Sequence, residues 1–251
     1  MSSLDVPQLS TVAGESKSGI AYKIEGTLLQ SVVLELQPGQ VIYSDTGAMS
    51  WLSANVSMNT HAGSGGIGGM IKRAVSGATL FLVDFASTGG TGLVAFTSDF
   101  PGKILPVDLD AGQSLLVQKH AFMCAEKSVG LDVRINQRFG AGLFGGEGFV
   151  MQEIRGPGIS FLEFDGEIVE YNLQAGQGLR VQPGHVAMFE PTVTFDIEAV
   201  QGLGNILLSG TGLFLATLQG PGRIWLQTMP IANLAKRLIP FLPAPQADHH
   251  D

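Results

Sequence analysis

Apolar and polar side chains alternate in three stretches of this chain, and each alternation runs into the same turn. Val32, Leu34 and Leu36 share one face, as do Leu105, Val107 and Leu109, and then Val169, Tyr171 and Leu173. A period of two is the mark of a half-buried strand. The turns that follow are Pro38-Gly39, Ala111-Gly112 and Ala175-Gly176, each completed by a glutamine (Gln40, Gln113, Gln177). Glycine there supplies the positive φ that tight turns require. A second apolar run leaves each turn: Val41-Ile42-Tyr43, Ser114-Leu115-Leu116-Val117 and Gly178-Leu179-Arg180-Val181. Read locally, each unit is a β-hairpin.

The likeness continues beyond the turn. Short apolar stretches follow around Ala48-Met49, Ala121-Phe122-Met123 and Ala187-Met188. Glycine clusters come next, at 63–69, 140–148 and 202–212, and after each cluster a strand, a glycine-rich turn and another strand. Those turns are Gly89-Gly90-Thr91-Gly92, Gly156-Pro157-Gly158 and Gly220-Pro221-Gly222. Self-similarity at this scale implies one supersecondary unit packed against its copies. The expectation is a single repeat-built β domain over 1–242, with repeats at about 28–100, 101–165 and 166–230. Helical periodicity is confined to the end, where Ile231, Leu234, Ala235, Leu238, Ile239 and Leu242 form a stripe opposite Asn233, Lys236 and Arg237. This predicts a helix over about 230–240, begun by Pro230 and ended by Pro240. The segment 243–251 is expected to be a disordered tail.

Composition narrows the function classes. Of 251 residues, 45% are hydrophobic and 14% charged, with 34 glycines. Few charges on a chain with a large core suit a protein that hides surface in an oligomer. A net charge of −8 argues against nucleic acid, which is held mainly through Lys and Arg. The single cysteine, Cys124, allows no internal disulfide and no cysteine-rich metal site; it reads as a small buried hydrophobe. The start of the chain shows no basic and apolar leader, and a cytoplasmic location is expected. The charge-free window 199–222 is long enough for a membrane span, but its glycines and proline, and Asp84, Glu153, Arg155 and Glu163 at its counterparts, point to strands.

On the tripled Leu-x-x-Gly-Gln units, the glycine clusters before the second strand pair, and the closing Leu234-Ala235-Lys236-Arg237-Leu238-Ile239-Pro240-Phe241-Leu242-Pro243 segment, the chain resembles the altered-inheritance-of-mitochondria biogenesis family over roughly 28–242. The resemblance implies an all-β, double-stranded β-helix or jelly-roll-like fold of three tandem structural repeats with a short C-terminal helix. It also implies likeness to the trp RNA-binding attenuation protein and assembly as a homotrimer, a ring of nine related units. It brings no catalytic residues to carry over.

Candidate chemistry is sparse. Gly63-Ser64-Gly65-Gly66-Ile67-Gly68 satisfies G-x-G-x-x-G, with Asp84 beyond it, but a dinucleotide site needs that loop inside a βαβ unit. His61, His120 and His185 are isolated, and His249 and His250 lie in the tail; one histidine per repeat is too few for a cupin-like metal site. His120 and His185 occupy matching places, where Gly47 stands in the first repeat. Glu163, Asp165 and Glu167 could supply paired carboxylates for acid–base work, or be a solvated loop and strand face with its turn at Asp165-Gly166. No catalytic, cofactor-binding or metal-binding residue is assigned, and no cofactor is expected. The expected function is a non-enzymatic oligomeric scaffold or interaction protein. One alternative is a ring that binds a small molecule at Gly65-Gly66 or Gly145-Gly146. Another is membrane-surface contact through the terminal helix, with Lys236 and Arg237 at headgroups and Phe241 inserted; the helix is otherwise expected to dock on the β core or a neighbouring subunit.

Overall fold

The three Gly-Gln turns are built identically in a computed structural model of the chain. Gly39, Gly112 and Gly176 take φ of +92°, +85° and +83°. Behind each, the glutamine side-chain oxygen accepts the amide of the residue three places earlier: Gln37 to Gln40 at 2.8 Å, Asp110 to Gln113 at 2.7 Å, Gln174 to Gln177 at 2.8 Å. The reverse backbone bond closes the turn at 3.0 Å in all three. Glutamine recurs after the glycine because its side chain satisfies an amide that the turn would otherwise leave unpaired.

The structure describes residues 11–61, 81–137, 149–199 and 214–241. These hold twenty strands and one short C-terminal α-helix, so the fold is all-β, as the alternation predicts. β1 (Thr11–Glu15) and β2 (Ala21–Glu25) lead. A first set follows: β3 (Ser31–Leu36), β4 (Val41–Asp45), β5 (Met49–Leu52), β6 (Val56–His61), β7 (Leu82–Ser87) and β8 (Gly92–Thr97). The second is β9 (Gly102–Leu109), β10 (Ser114–Gln118), β11 (Phe122–Glu126), β12 (Gly130–Gln137), β13 (Phe149–Arg155) and β14 (Gly158–Asp165). The third is β15 (Ile168–Leu173), β16 (Gly178–Val181), β17 (Val186–Phe189), β18 (Thr194–Ala199), β19 (Phe214–Gln219) and β20 (Gly222–Gln227), before the helix α1 (Ile231–Leu238).

Within each set the pairing follows one rule. The sixth strand lies antiparallel between the first and third, and the fifth between the second and fourth. The hairpin expectation is therefore corrected. β3 and β4 do not pair; the Gly-Gln turn carries the chain from one sheet to the next, and β3 takes β8 as partner instead. Alternation and a tight turn define two strands and a reversal, but not the partner, which lies far along the chain. The third strand of every set is kinked by an irregularity at the same place, next to Ser50, Met123 and Ala187.

Successive sets are stitched by a second rule: the second strand of one pairs with the third strand of the next. β4 pairs with β11, and β10 with β17. The result is four sheets, ordered β1-β2-β3-β8-β5, β6-β7-β4-β11-β14-β9, β12-β13-β10-β17-β20-β15 and β16-β19-β18. Three apolar clusters lie between them. Leu34, Phe85, Phe96 and Phe161 pack between the first and second sheets, Val117, Ile154, Leu162 and Phe164 between the second and third, and Met151, Phe189, Leu218 and Ile224 between the third and fourth. The two middle sheets are thus covered on both faces, which is why β11 and β17 read as apolar runs without alternation.

The helix stripe is real, and within the chain only part of it is covered: Leu234 is half-buried. α1 is held at its start by Ile231 donating its amide to Asp165 Oδ2 at 3.1 Å, while Leu238, Ile239 and Phe241 are 51%, 62% and 85% exposed. Pro240 falls within a 3-10 turn over Ile239–Phe241 that prolongs the helix.

Candidate functional site

The first and fourth sheets are each half of the six-strand pattern of the middle two, apart from β1 and β2. β5 borders the first sheet and β16 the fourth, and among the described residues neither has a partner on its outer side, where their counterparts β11, β17, β4 and β10 each have one. By register, Trp51 stands where Cys124 and Met188 stand in the other sets, since each falls just after the kink and opposite the same residue of its sixth strand: Ala95, Phe161 and Trp225. Cys124 and Met188 are 0% and 3% exposed, whereas Trp51 is 49% exposed. Likewise Val181 stands where Ser44 and Val117 stand, both fully buried, yet β16 leaves Gly178 and Arg180 in solvent and covers Leu179 and Val181 only in part. A half-exposed tryptophan on an open strand is unusual in a monomer, because an unpaired edge is a template for another chain.

None of the described residues singled out in the sequence for chemistry lies on this edge, although the structure brings His61 to Asp84 and His120 near Asp165. The 63–68 glycine run, the Gly145-Gly146 pair, His249 and His250 lie outside the described residues. β6 and β7, which flank the first of these glycine clusters, are antiparallel neighbours, so the parallel crossover required for a dinucleotide loop is not the local architecture. Asp84 lies on β7 and is engaged by His61 Nε2 at 2.9 Å and by Lys127 Nζ at 2.6 Å. His120 and His185 occupy equivalent 3-10 turns before β11 and β17, where the His185 ring Nδ1 lies 2.8 Å from the Gln227 carbonyl. Among the described residues, no three His, Cys or carboxylate side chains gather as a metal site.

The acidic stretch is less solvated than its pattern suggests, and each carboxylate is occupied separately. Glu163 accepts the Asp99 amide at 3.0 Å, Asp165 accepts the Ile231 amide, and Glu167 pairs with Lys103 at 3.2 Å. Burial raises the Glu163 and Asp165 carboxyls above their ordinary range, against the pull of those amides. Burial also pushes the Cys124 thiol up, so it stays a neutral core group. Within the charge-free window, 214–219 forms β19 rather than a membrane helix, and no helix of the described residues is long and apolar enough to cross a membrane.

The sequence reading passed over Trp51 and placed Leu179 and Val181 on a strand without marking that strand as an edge. The signal was present in the aligned repeats, where a tryptophan replaces a cysteine and a methionine, but it carries meaning only once the second strand pair is seen to cross between sets.

Comparison with known proteins agrees with this architecture. The chain is 29% identical over 220 residues to an uncharacterized protein of Streptococcus pyogenes serotype M6, spanning 84% of this chain and 86% of that one. A crystal structure of another Streptococcus pyogenes protein superposes with a TM-score of 0.71 at 23% identity, over 89% of this chain and all of that one, and so shares its fold. A family model described as mitochondrial biogenesis AIM24 matches residues 22–229, and the chain therefore belongs to that family.

Proposed function

We propose that the protein is a non-enzymatic scaffold that works as a homo-oligomer, each chain contributing three double-stranded β-helix units. One observation carries this reading: the strand positions of β5 and β16 that are buried at both inter-set seams are left half-exposed at the two ends of the chain, Trp51 foremost. Burial of such surface is the usual drive for association. A ring of three chains, nine units in all, fits the family resemblance. Multi-angle light scattering or native mass spectrometry tests the reading: masses at an integral multiple of 26.4 kDa support it, and a monomer at micromolar concentration contradicts it.

A second reading rests on a different observation. α1, which ends in exposed apolar residues, starts on the same end of the molecule as the exposed Leu28 and Leu29, because Leu28 accepts the Gly102 amide and Gly102 is paired with Asp165, which holds Ile231. Such a face is suited to shallow insertion at a membrane surface. Liposome co-flotation of the intact chain against a chain stopped after Met229 tests it; flotation that depends on the helix supports membrane contact, and equal behaviour of the two removes it.

A further inference from the structure

The stitching between sets is regular enough to specify the missing seam. At the first seam Cys124 faces Ser44, Ala125 faces Tyr43 and Glu126 faces Ile42. At the second, Met188 faces Val117 and Phe189 faces Leu116. The two registers are the same register, since Val41, Ser114 and Gly178 occupy one position, two residues after the turn glycine and each opposite a residue at the end of its fifth strand: Ala86, Arg155 and Gln219. Carried one set further, the rule assigns β16 a partner equivalent to β5, with Val181 facing Trp51, Arg180 facing Leu52 and Leu179 facing Ser53.

The sheets at either end are complementary in composition as well as in edge. Each middle sheet consists of a fourth-fifth-second strand trio from one set and a third-sixth-first trio from the next. The fourth sheet, β16-β19-β18, is a free trio of the first kind, and β3-β8-β5 in the first sheet is a free trio of the second. Joined along β16 and β5, they form one more sheet of the same construction, with β1 and β2 at its far margin. The outer faces agree too. Met123, Cys124, Ile159 and Phe161 point from the second sheet into the core of the preceding set; their counterparts in the first sheet are Ser50, Trp51, Leu93 and Ala95, of which Trp51 and Leu93 are exposed large apolar residues. Edges that stay single are often blunted by a proline or an inward-pointing charge. β16 has neither: Leu179 and Val181 pack inward with the core, and Arg180 alternates to the outer face.

Resting on the oligomeric reading above, we propose that β16 of one copy pairs antiparallel with β5 of the next copy in the register Val181–Trp51, Arg180–Leu52, Leu179–Ser53, and that this seam, repeated head to tail, closes the assembly. The partner is a second copy of this chain. The interface is heterologous, one patch against a different patch, so it generates a closed ring when the rotation between copies completes a circle.

Cysteine cross-linking tests the register. The double variant Trp51→Cys/Val181→Cys, oxidised and run without reductant, should give a ladder of covalent multimers ending at the ring size, with peptide mapping joining the 51 and 181 segments. The single variants, and the wild type with its buried Cys124, should give no ladder, and a mixture of the two singles should stop at the dimer. Ser53→Cys/Leu179→Cys provides the same readout should the first pair fold poorly. Multimers in native mass spectrometry without cross-linking in either pair overturn the seam and leave the oligomer standing. A monomer overturns both, whether its two cysteines join within one chain or remain free.

Discussion

Replacing Trp51 with alanine should loosen the assembly while sparing the fold. Tryptophan offers up to about 250 Å² of surface, and 49% of Trp51 is exposed on the free edge, so roughly 120 Å² remains to be covered by a neighbour. At ~25 cal/mol per Å² that area is worth about 3 kcal/mol, and about 2 kcal/mol after allowing for the surface the alanine still buries. A loss of about 2–3 kcal/mol per seam is a roughly 30- to 150-fold weaker association. Sedimentation velocity over a dilution series reads this directly: the variant should dissociate at concentrations where the wild type stays assembled, while the melting temperature of the dissociated chain stays within a few degrees. An unchanged dissociation curve would refute the reasoning, and so would a variant that unfolds outright, because that would place Trp51 in the core of the single chain.

Other perturbations probe the body of the fold. Phe161→Ala removes a ring that is fully buried and edge-on to Tyr22 at 5.1 Å; thermal or denaturant unfolding should show a loss of about 3–5 kcal/mol. Gln113→Ala and Gln177→Ala each remove one turn-closing bond and should cost about 1 kcal/mol alike, whereas Gln40→Ala should cost more, since Gln40 Nε2 also donates to the Gly19 carbonyl at 3.0 Å and ties the β1–β2 turn to the first set. Asp165→Asn keeps an acceptor for Ile231 and abolishes a buried charge. The Asp165 carboxyl is raised by burial, so its contribution is greatest below the ordinary carboxylate range and falls as pH rises through the raised value. The melting temperature of the variant relative to wild type should therefore increase from acid to neutral pH, and a flat difference would show that Asp165 is not strained by its burial.

Much of this architecture is legible in the chain, and the part that is not has a physical reason. Strands such as β3, with Val32, Leu34 and Leu36 buried and their neighbours partly wet, carry their period openly, and the Gly-Gln turns announce themselves because one glycine and one glutamine do the same job three times. The partner of β3 is hidden, since nothing in 32–36 records that 92–97 lies beside it. The fourth strands were readable but passed over: Leu131, Val133 and Ile135 alternate along β12, and Phe195 and Ile197 along β18. β11 and β17 are buried on both faces, so their apolar runs carry no period, and only the stack of sheets explains them. The C-terminal stripe was plain, but a pattern states that a face is apolar and not what covers it. The edge residues came last of all, because the difference between Trp51 and Cys124 has no meaning until the two are known to share a position.

Hydrogen–deuterium exchange, followed residue by residue at high and low protein concentration, addresses the edge pairing most directly. The amides of β5 and β16 that have no partner within the chain should become protected together as concentration rises, while the Ser53 amide, which already donates to the Leu93 carbonyl, and those of β4, β10, β11 and β17 are protected throughout. Protection at β5 and β16 that is the same at every concentration, or absent while the protein remains oligomeric, would contradict the head-to-tail sheet.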